Sequence, residues 1–160
     1  MSAPRGEVEE AFRRYLVCGI VEEDWGAWAR CFTPDVAYHE HQLGTMHGRD
    51  AVLEWIVPLM DQFPEIYNAV LWYAIDGDKV VFDATNRRDN PRLGGPPIDF
   101  EGVTILTYDG DGMFSREDDW WDMKGAMRSA EEYGRLAAEH DPRHAQKRTR
   151  LARELPLGLS

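Results

Sequence analysis

Residues 100–122 read FEGVTILTYDGDGMFSREDDWWD. Two runs rich in β-branched and aromatic residues, Phe100–Tyr108 and Met113–Trp121, flank Asp109-Gly110-Asp111-Gly112. That arrangement predicts two strands joined by a tight hairpin, because Asp and Gly accept the left-handed backbone such turns require. The same pattern occurs just upstream, where Ile66–Ile75 and Lys79–Arg87 flank Asp76-Gly77-Asp78. Between the two hairpins, Asn90–Pro97 holds two glycines and three prolines and reads as a loop. The region therefore predicts a meander of four longer strands.

The meander is preceded by helices. Val8, Phe12, Tyr15, Leu16 and Gly19 recur at helical spacing and predict a first helix. Glu22-Glu23-Asp24 interrupts the stripe, and Asp24 is placed to cap a short second helix carrying Trp25, Trp28 and Phe32. Thr33-Pro34-Asp35 is expected to end it. Val36–His41 reads as a short strand, with Gly44 and Gly48 marking the turns after it. Asp50 opens a third helix with a wide apolar face, expected to kink at Pro58 and to stop at Pro64. Gly125–His140 is helical again, and Arg143–Leu155 reads as a last, basic helix. Helices first and strands afterwards point to an α+β domain, with helices on one face of a curved antiparallel sheet.

Length and charge narrow the class. At 160 residues the chain makes one ordinary domain with a real core. Lys and Arg number 18 against 29 Asp and Glu, a net charge of −11 that repels phosphates and argues against a nucleic-acid binder. Residues 143–153 carry five of those cations, leaving 13 basic against 29 acidic residues elsewhere. A basic tail of this kind packs back on the acidic body, reaches a partner subunit, or is simply a solvated helical end. No apolar run approaches the roughly 20 residues needed to span a bilayer. The first ten residues have no apolar signal-peptide core. Cys18 and Cys31 lie in apolar helical patterns without metal-ligand spacing, so buried thiols in a cytoplasmic protein are expected. Gly94-Gly95 has no helix after it and is not a phosphate loop.

Three strings carry a family resemblance: RRYLVCGIVEEDWGAWARCFTPDVAYHEH at 13–41, HGRDAVLEWI at 47–56, and residues 100–122. Together they resemble the nuclear transport factor 2-like superfamily, the cystatin-like α+β barrel. Within it the chain looks most like SnoaL-like polyketide cyclases and their relatives, ketosteroid isomerase and limonene epoxide hydrolase. The resemblance covers about residues 6–124. It implies a cone-shaped curved antiparallel sheet whose N-terminal helices close a deep pocket over residues 1–124, with 125–160 as a C-terminal helical extension. It also implies a homodimer, a small hydrophobic ligand, and chemistry without cofactor or metal.

Two acids are then singled out as catalytic. Glu40 falls where ketosteroid isomerase has its general base, on a strand face shared with Val36 and Tyr38. Burial in an apolar cone would favour proton transfer there. The plainer reading is a strand-end Glu pairing with Arg49. Asp119 matches the acid that SnoaL-like cyclases and limonene epoxide hydrolase place on the last strand, one residue before an aromatic pair. Alternation puts it on one face with Trp121.

Substrate contacts are expected from several further residues. Tyr15 falls where ketosteroid isomerase has a phenol, and Tyr38 where limonene epoxide hydrolase has a tyrosine. Thr104 stands where the isomerase has a second, protonated acid. Asn86 faces the pocket if Phe82, Ala84 and Asn86 point inward; otherwise Arg87 takes its place. Trp28, Trp55 and Trp121 line the pocket or fill the core. Arg87 and Asp89 have the two-residue spacing of the epoxide hydrolase pair. His39, Glu40, His41 and His47 suggest a metal, and His39 and His41 would share a strand face, but no third ligand beside that pair is evident.

Cofactor-independent acid–base catalysis on a polyketide-, steroid- or terpenoid-like substrate is the expected function. The alternatives are an epoxide hydrolase and a ligand-binding module without catalysis.

Overall fold

The computed structural model describes residues 3–145. It is a mixed α+β structure in which helices close one side of a curved, open sheet. Helix α1 (Arg5–Leu16) buries Val8, Ala11, Phe12, Tyr15 and Leu16 along one stripe and runs into a single π-helical turn, Val17–Val21. Gly19 in that turn lies against the indole of Trp28, where an added Cβ would sit 2.5 Å from Cδ1. Helix α2 (Trp25–Ala29) starts at Asp24, whose carboxylate accepts the Ala27 amide at 2.8 Å, as the capping residue predicts. Helix α3 (Arg49–Gln62) runs through Pro58.

Two sheets replace the expected meander. A six-stranded sheet has the order β2-β1-β9-β8-β5-β4, with β1 at Phe32–Glu40, β2 at Gly44–His47, β4 at Tyr73–Asp76, β5 at Lys79–Asp83, β8 at Gly102–Gly110 and β9 at Met113–Trp121. A three-stranded sheet has the order β3-β6-β7, from Ile66–Ala69, Thr85–Arg88 and Ile98–Phe100. The expected strand Ile66–Ile75 is thus β3 and β4, and Lys79–Arg87 is β5 and β6, because the chain changes sheets midway. The change is built locally. Asp83 takes the Thr85 amide at 2.8 Å and its hydroxyl at 2.6 Å, and Gly102 approaches the Ala84 carbonyl so closely that a Cβ would stand 2.9 Å from it.

The early strand also differs from expectation. Thr33-Pro34-Asp35 does not end α2 but lies inside β1, where the register with β9 shifts between Phe32 and Ala37. Proline is tolerated at such a bulge because no ladder amide is needed there. Arg49 fills the irregularity, donating from Nε to the Phe32 carbonyl at 3.1 Å. The segment from Gly44, expected as turn, pairs with β1 as β2. Both predicted hairpins form, with Gly77, Asp111 and Gly112 at positive φ. The sheet is antiparallel except that β1 and β9 run parallel.

The core lies between α1, α2, α3 and the concave face of the larger sheet. Phe12 meets Phe82 with ring centroids 5.1 Å apart, and Trp28 meets Phe32 edge-on at 4.9 Å. Cys31 is buried and Cys18 partly so; both are free thiols, and burial pushes Cys31 up to about 11. Helix α4 (Met123–Glu139) packs on β7. A short 3-10 turn follows at Pro142–Ala145, and the rest of the expected helix to Leu155 lies outside the described residues. No helix among the described residues is long and apolar enough to cross a membrane.

Candidate active site

The concave face of the larger sheet, the smaller sheet and all four helices enclose a cavity of about 460 Å³. That is within the roughly 300–1,000 Å³ usual for small-molecule sites. Its floor comes from three adjacent strands. On β9, alternation points Glu117, Asp119 and Trp121 inward, while Arg116 and Asp118 pair on the outer face. On β1, Tyr38 and Glu40 point inward, and the parallel register sets Tyr38 beside Glu117 and Glu40 beside Asp119. On β8, Thr104 lies opposite Asp119.

The result is a carboxyl cluster in the cavity wall, with Glu117 buried and Asp119 partly so. Asp119 accepts from the Thr104 hydroxyl at 2.5 Å on Oδ1 and from the Tyr38 phenol on Oδ2. Glu117, 1% exposed, accepts from the Tyr15 phenol at 2.9 and 3.0 Å on its two oxygens. Burial raises both carboxyls, Glu117 well above 4.5, and the charge of Asp119 adds to the rise at Glu117. The hydrogen bonds from Thr104 and Tyr38 pull Asp119 partly back down. The two carboxyls are coupled, and both resist ionisation more than a solvated acid does. Burial, followed by the neighbouring carboxylates, lifts both phenols well above 10.0, so Tyr15 and Tyr38 remain hydrogen-bond donors.

Glu40 faces the same cavity and is 3% exposed. Its oxygens are occupied. Oε2 accepts the amides of Gln42 at 2.9 Å and Leu43 at 2.6 Å, and Oε1 accepts the Trp121 indole. Arg49, the partner considered for it from sequence, bonds to Phe32 instead.

Trp28, Trp55 and Trp121 all line the cavity, with Trp28 also packed into the core. Asn86 points inward with Ala84, which decides the face of β6. Arg87 points outward and forks onto Asp99 at 2.9 and 2.7 Å. Asp89 accepts from Tyr67 at 2.5 Å. Neither Arg87 nor Asp89 lines the cavity, so the epoxide hydrolase pair suggested by their spacing is not assembled there. His39 bonds Thr45 at 2.6 Å, and His41 stacks on Trp120 at 4.0 Å. Among the described residues no group of three or more His, Cys, Asp or Glu is gathered to hold a metal.

Sequence reasoning missed Glu117 and Arg88. Glu117 carried a signal, since it lies two residues along the strand from Asp119 and shares its face. Arg88 shares a face with Asn86, whose orientation the sequence leaves open.

The profile of the SnoaL-like domain matches residues 12–117. No curated protein matches the chain. Among solved structures, a protein assigned as a SnoaL-like polyketide cyclase from Jannaschia sp. CCS1 is similar at 22% identity and TM-score 0.64, covering 81% of this chain and 96% of its own. TerC, co-crystallised with polyporic acid, is similar at 20% identity and TM-score 0.63, covering 78% and 98%. An epoxide hydrolase of M. tuberculosis resembling limonene epoxide hydrolase is similar at 15% identity and TM-score 0.61, covering 83% and 93%. At these identities the likeness is one of fold.

Proposed function

The chain belongs to the SnoaL-like domain family, and from that premise we propose that its cavity performs cofactor-independent proton transfer on a hydrophobic carbonyl compound. The observation that carries the reading is the pair of neighbouring carboxyls on one cavity wall, Glu117 buried and Asp119 partly buried, both raised above their ordinary values. Two coupled acids of this kind supply a base and an acid to one substrate when one is ionised and the other is not. In this reading Asp119 takes a proton from the carbon next to the carbonyl. Charge develops on the carbonyl oxygen, and a neutral donor, Glu117 or one of the phenols, stabilises it. Returning the proton to another carbon gives isomerisation. Attack of the enolate on a second carbonyl gives cyclisation, and loss of a β-hydroxyl gives dehydration.

Glu40 takes a different part. With its oxygens engaged by two amides and an indole, it holds the 41–43 turn and Trp121 against the cavity. The apolar walls, with Trp28, Trp55 and Phe82, suit a flat hydrophobic skeleton. Co-crystallisation of TerC with polyporic acid supports a small-molecule ligand for this fold.

The test is hydrogen–deuterium exchange at the α-carbon of a hydrophobic ketone such as 2-tetralone, followed by NMR in heavy water. The wild type is expected to accelerate exchange, and Asp119→Asn to lower the rate by roughly 10²- to 10⁴-fold with the ketone still bound. Equal exchange by wild type and Asp119→Asn would remove the mechanism.

A further inference from the structure

Arg88 lies 4% exposed on the inner face of β6, two residues beyond Asn86. Among the described residues it is the one cation lining a cavity that also presents Glu40, Glu117 and Asp119. A guanidinium buried this deeply normally has its donors engaged by acceptors. Arg88 is only partly engaged. Its Nε donates to Glu65 at 3.2 Å and its Nη1 to Ser129 on α4 at 2.8 Å, while the Tyr133 ring lies 5.8 Å from Cζ.

Other arginines in the fold are used differently. Arg87 grips Asp99, and Arg116 grips Asp118, each through both Nε and Nη2. Glu65 meets Arg88 through Nε alone, so Nη2 keeps two N–H groups without an acceptor among the described residues. An unpaired donor pair on a cavity-lining cation is a ready site for a planar oxyanion, which matches the guanidinium edge in shape and charge.

Its place relative to the carboxyl cluster completes the argument. Asn86 Nδ2 lies 3.4 Å from the point where a Gly102 Cβ would stand, and Gly102 pairs with Trp121, two residues along β9 from Asp119. Arg88 is two residues further along β6, about 7 Å of strand. A ligand holding an anion at Arg88 would extend its apolar body past Asn86 toward Asp119. The geometry points to Arg88 as the specificity-determining residue of this cavity, selecting hydrophobic substrates that carry a carboxylate or similar planar oxyanion away from the reacting carbon. This deepens the reading of the cavity as the substrate site, but it concerns affinity and does not depend on the proton-transfer step.

The experiment is calorimetric titration at about pH 7 with 2-naphthoate and its neutral counterpart 2-naphthamide, which share one ring system and differ in charge. The wild type is expected to bind the naphthoate at least about tenfold more tightly. Arg88→Met should abolish that preference by weakening naphthoate binding far more than naphthamide binding. Because Arg88 also ties α4 to β6, Glu65→Gln provides a second, milder arm: removing the competing carboxylate should strengthen naphthoate binding several-fold and leave naphthamide unaffected. Equal affinities in the wild type, a preference that survives Arg88→Met, or weakened naphthoate binding in Glu65→Gln would each overturn the assignment. Binding of both probes with no preference defeats this proposal alone. Failure of both to bind defeats the cavity reading and this proposal with it.

Discussion

Replacing Glu117 by Gln preserves the side chain's shape and its acceptor for Tyr15 but removes its ability to ionise. In the folded protein Glu117 is fully enclosed, and burial together with the charge of Asp119 raises it well above the 4.5 at which it titrates in a solvated chain. Between that value and its native one, the folded state holds a proton that the unfolded state has released. Stability therefore falls as pH rises through this window, by about 1.4 kcal/mol per pH unit for one proton, and levels off once Glu117 ionises in the native state as well. Glutamine binds no proton in either state. Glu117→Gln should thus gain on the wild type as pH increases, with that slope, whatever its offset at acid pH. Asp119 is raised in the same direction and is coupled to Glu117, so the difference between the two proteins reports the titration of the pair. Urea unfolding of both proteins from about pH 5 to about pH 8 reads the effect directly. Curves that stay parallel across this range would mean that Glu117 is not held above its ordinary value, and the account of the coupled carboxyl pair would have to be given up.

Further outcomes follow from local geometry. Gly19→Ala should destabilise the fold by about 1–3 kcal/mol, because the new methyl would stand 2.5 Å from the Trp28 ring. Thermal unfolding, with tryptophan emission reporting the displaced indole, checks this. Asp24→Ala should cost about 1 kcal/mol through the lost cap on α2, measured by urea unfolding. Glu40→Ala should release the amide of Gln42, seen as faster hydrogen exchange there, while Leu43 keeps its bond to the backbone carbonyl of residue 40. Unchanged protection there would show that Glu40 does not hold the turn.

Much of this protein follows from signals a few residues long. The Asp-Gly turns demand a left-handed backbone, Asp24 offers an oxygen to an unpaired helix amide, and alternation along residues 113–121 assigns Asp119 and Trp121 to one face. The α+β class follows from the order of those elements, and the three strings already pointed to the SnoaL-like fold that the family match bears out. What no local pattern contains is the parallel pairing of β1 with β9, which sets Tyr38 and Glu40 beside acids about 80 positions away. Nor does it contain the sheet change at Ala84, which divides apparently continuous strands and turns Asn86 and Arg88 toward the cavity. The raised titration of Glu117 is of the same kind. Two acids in one strand read as two ordinary charges until the surrounding structure removes water from them. Periodicity and turn chemistry act between neighbours in the chain, whereas burial and partner choice arise from the whole packed structure.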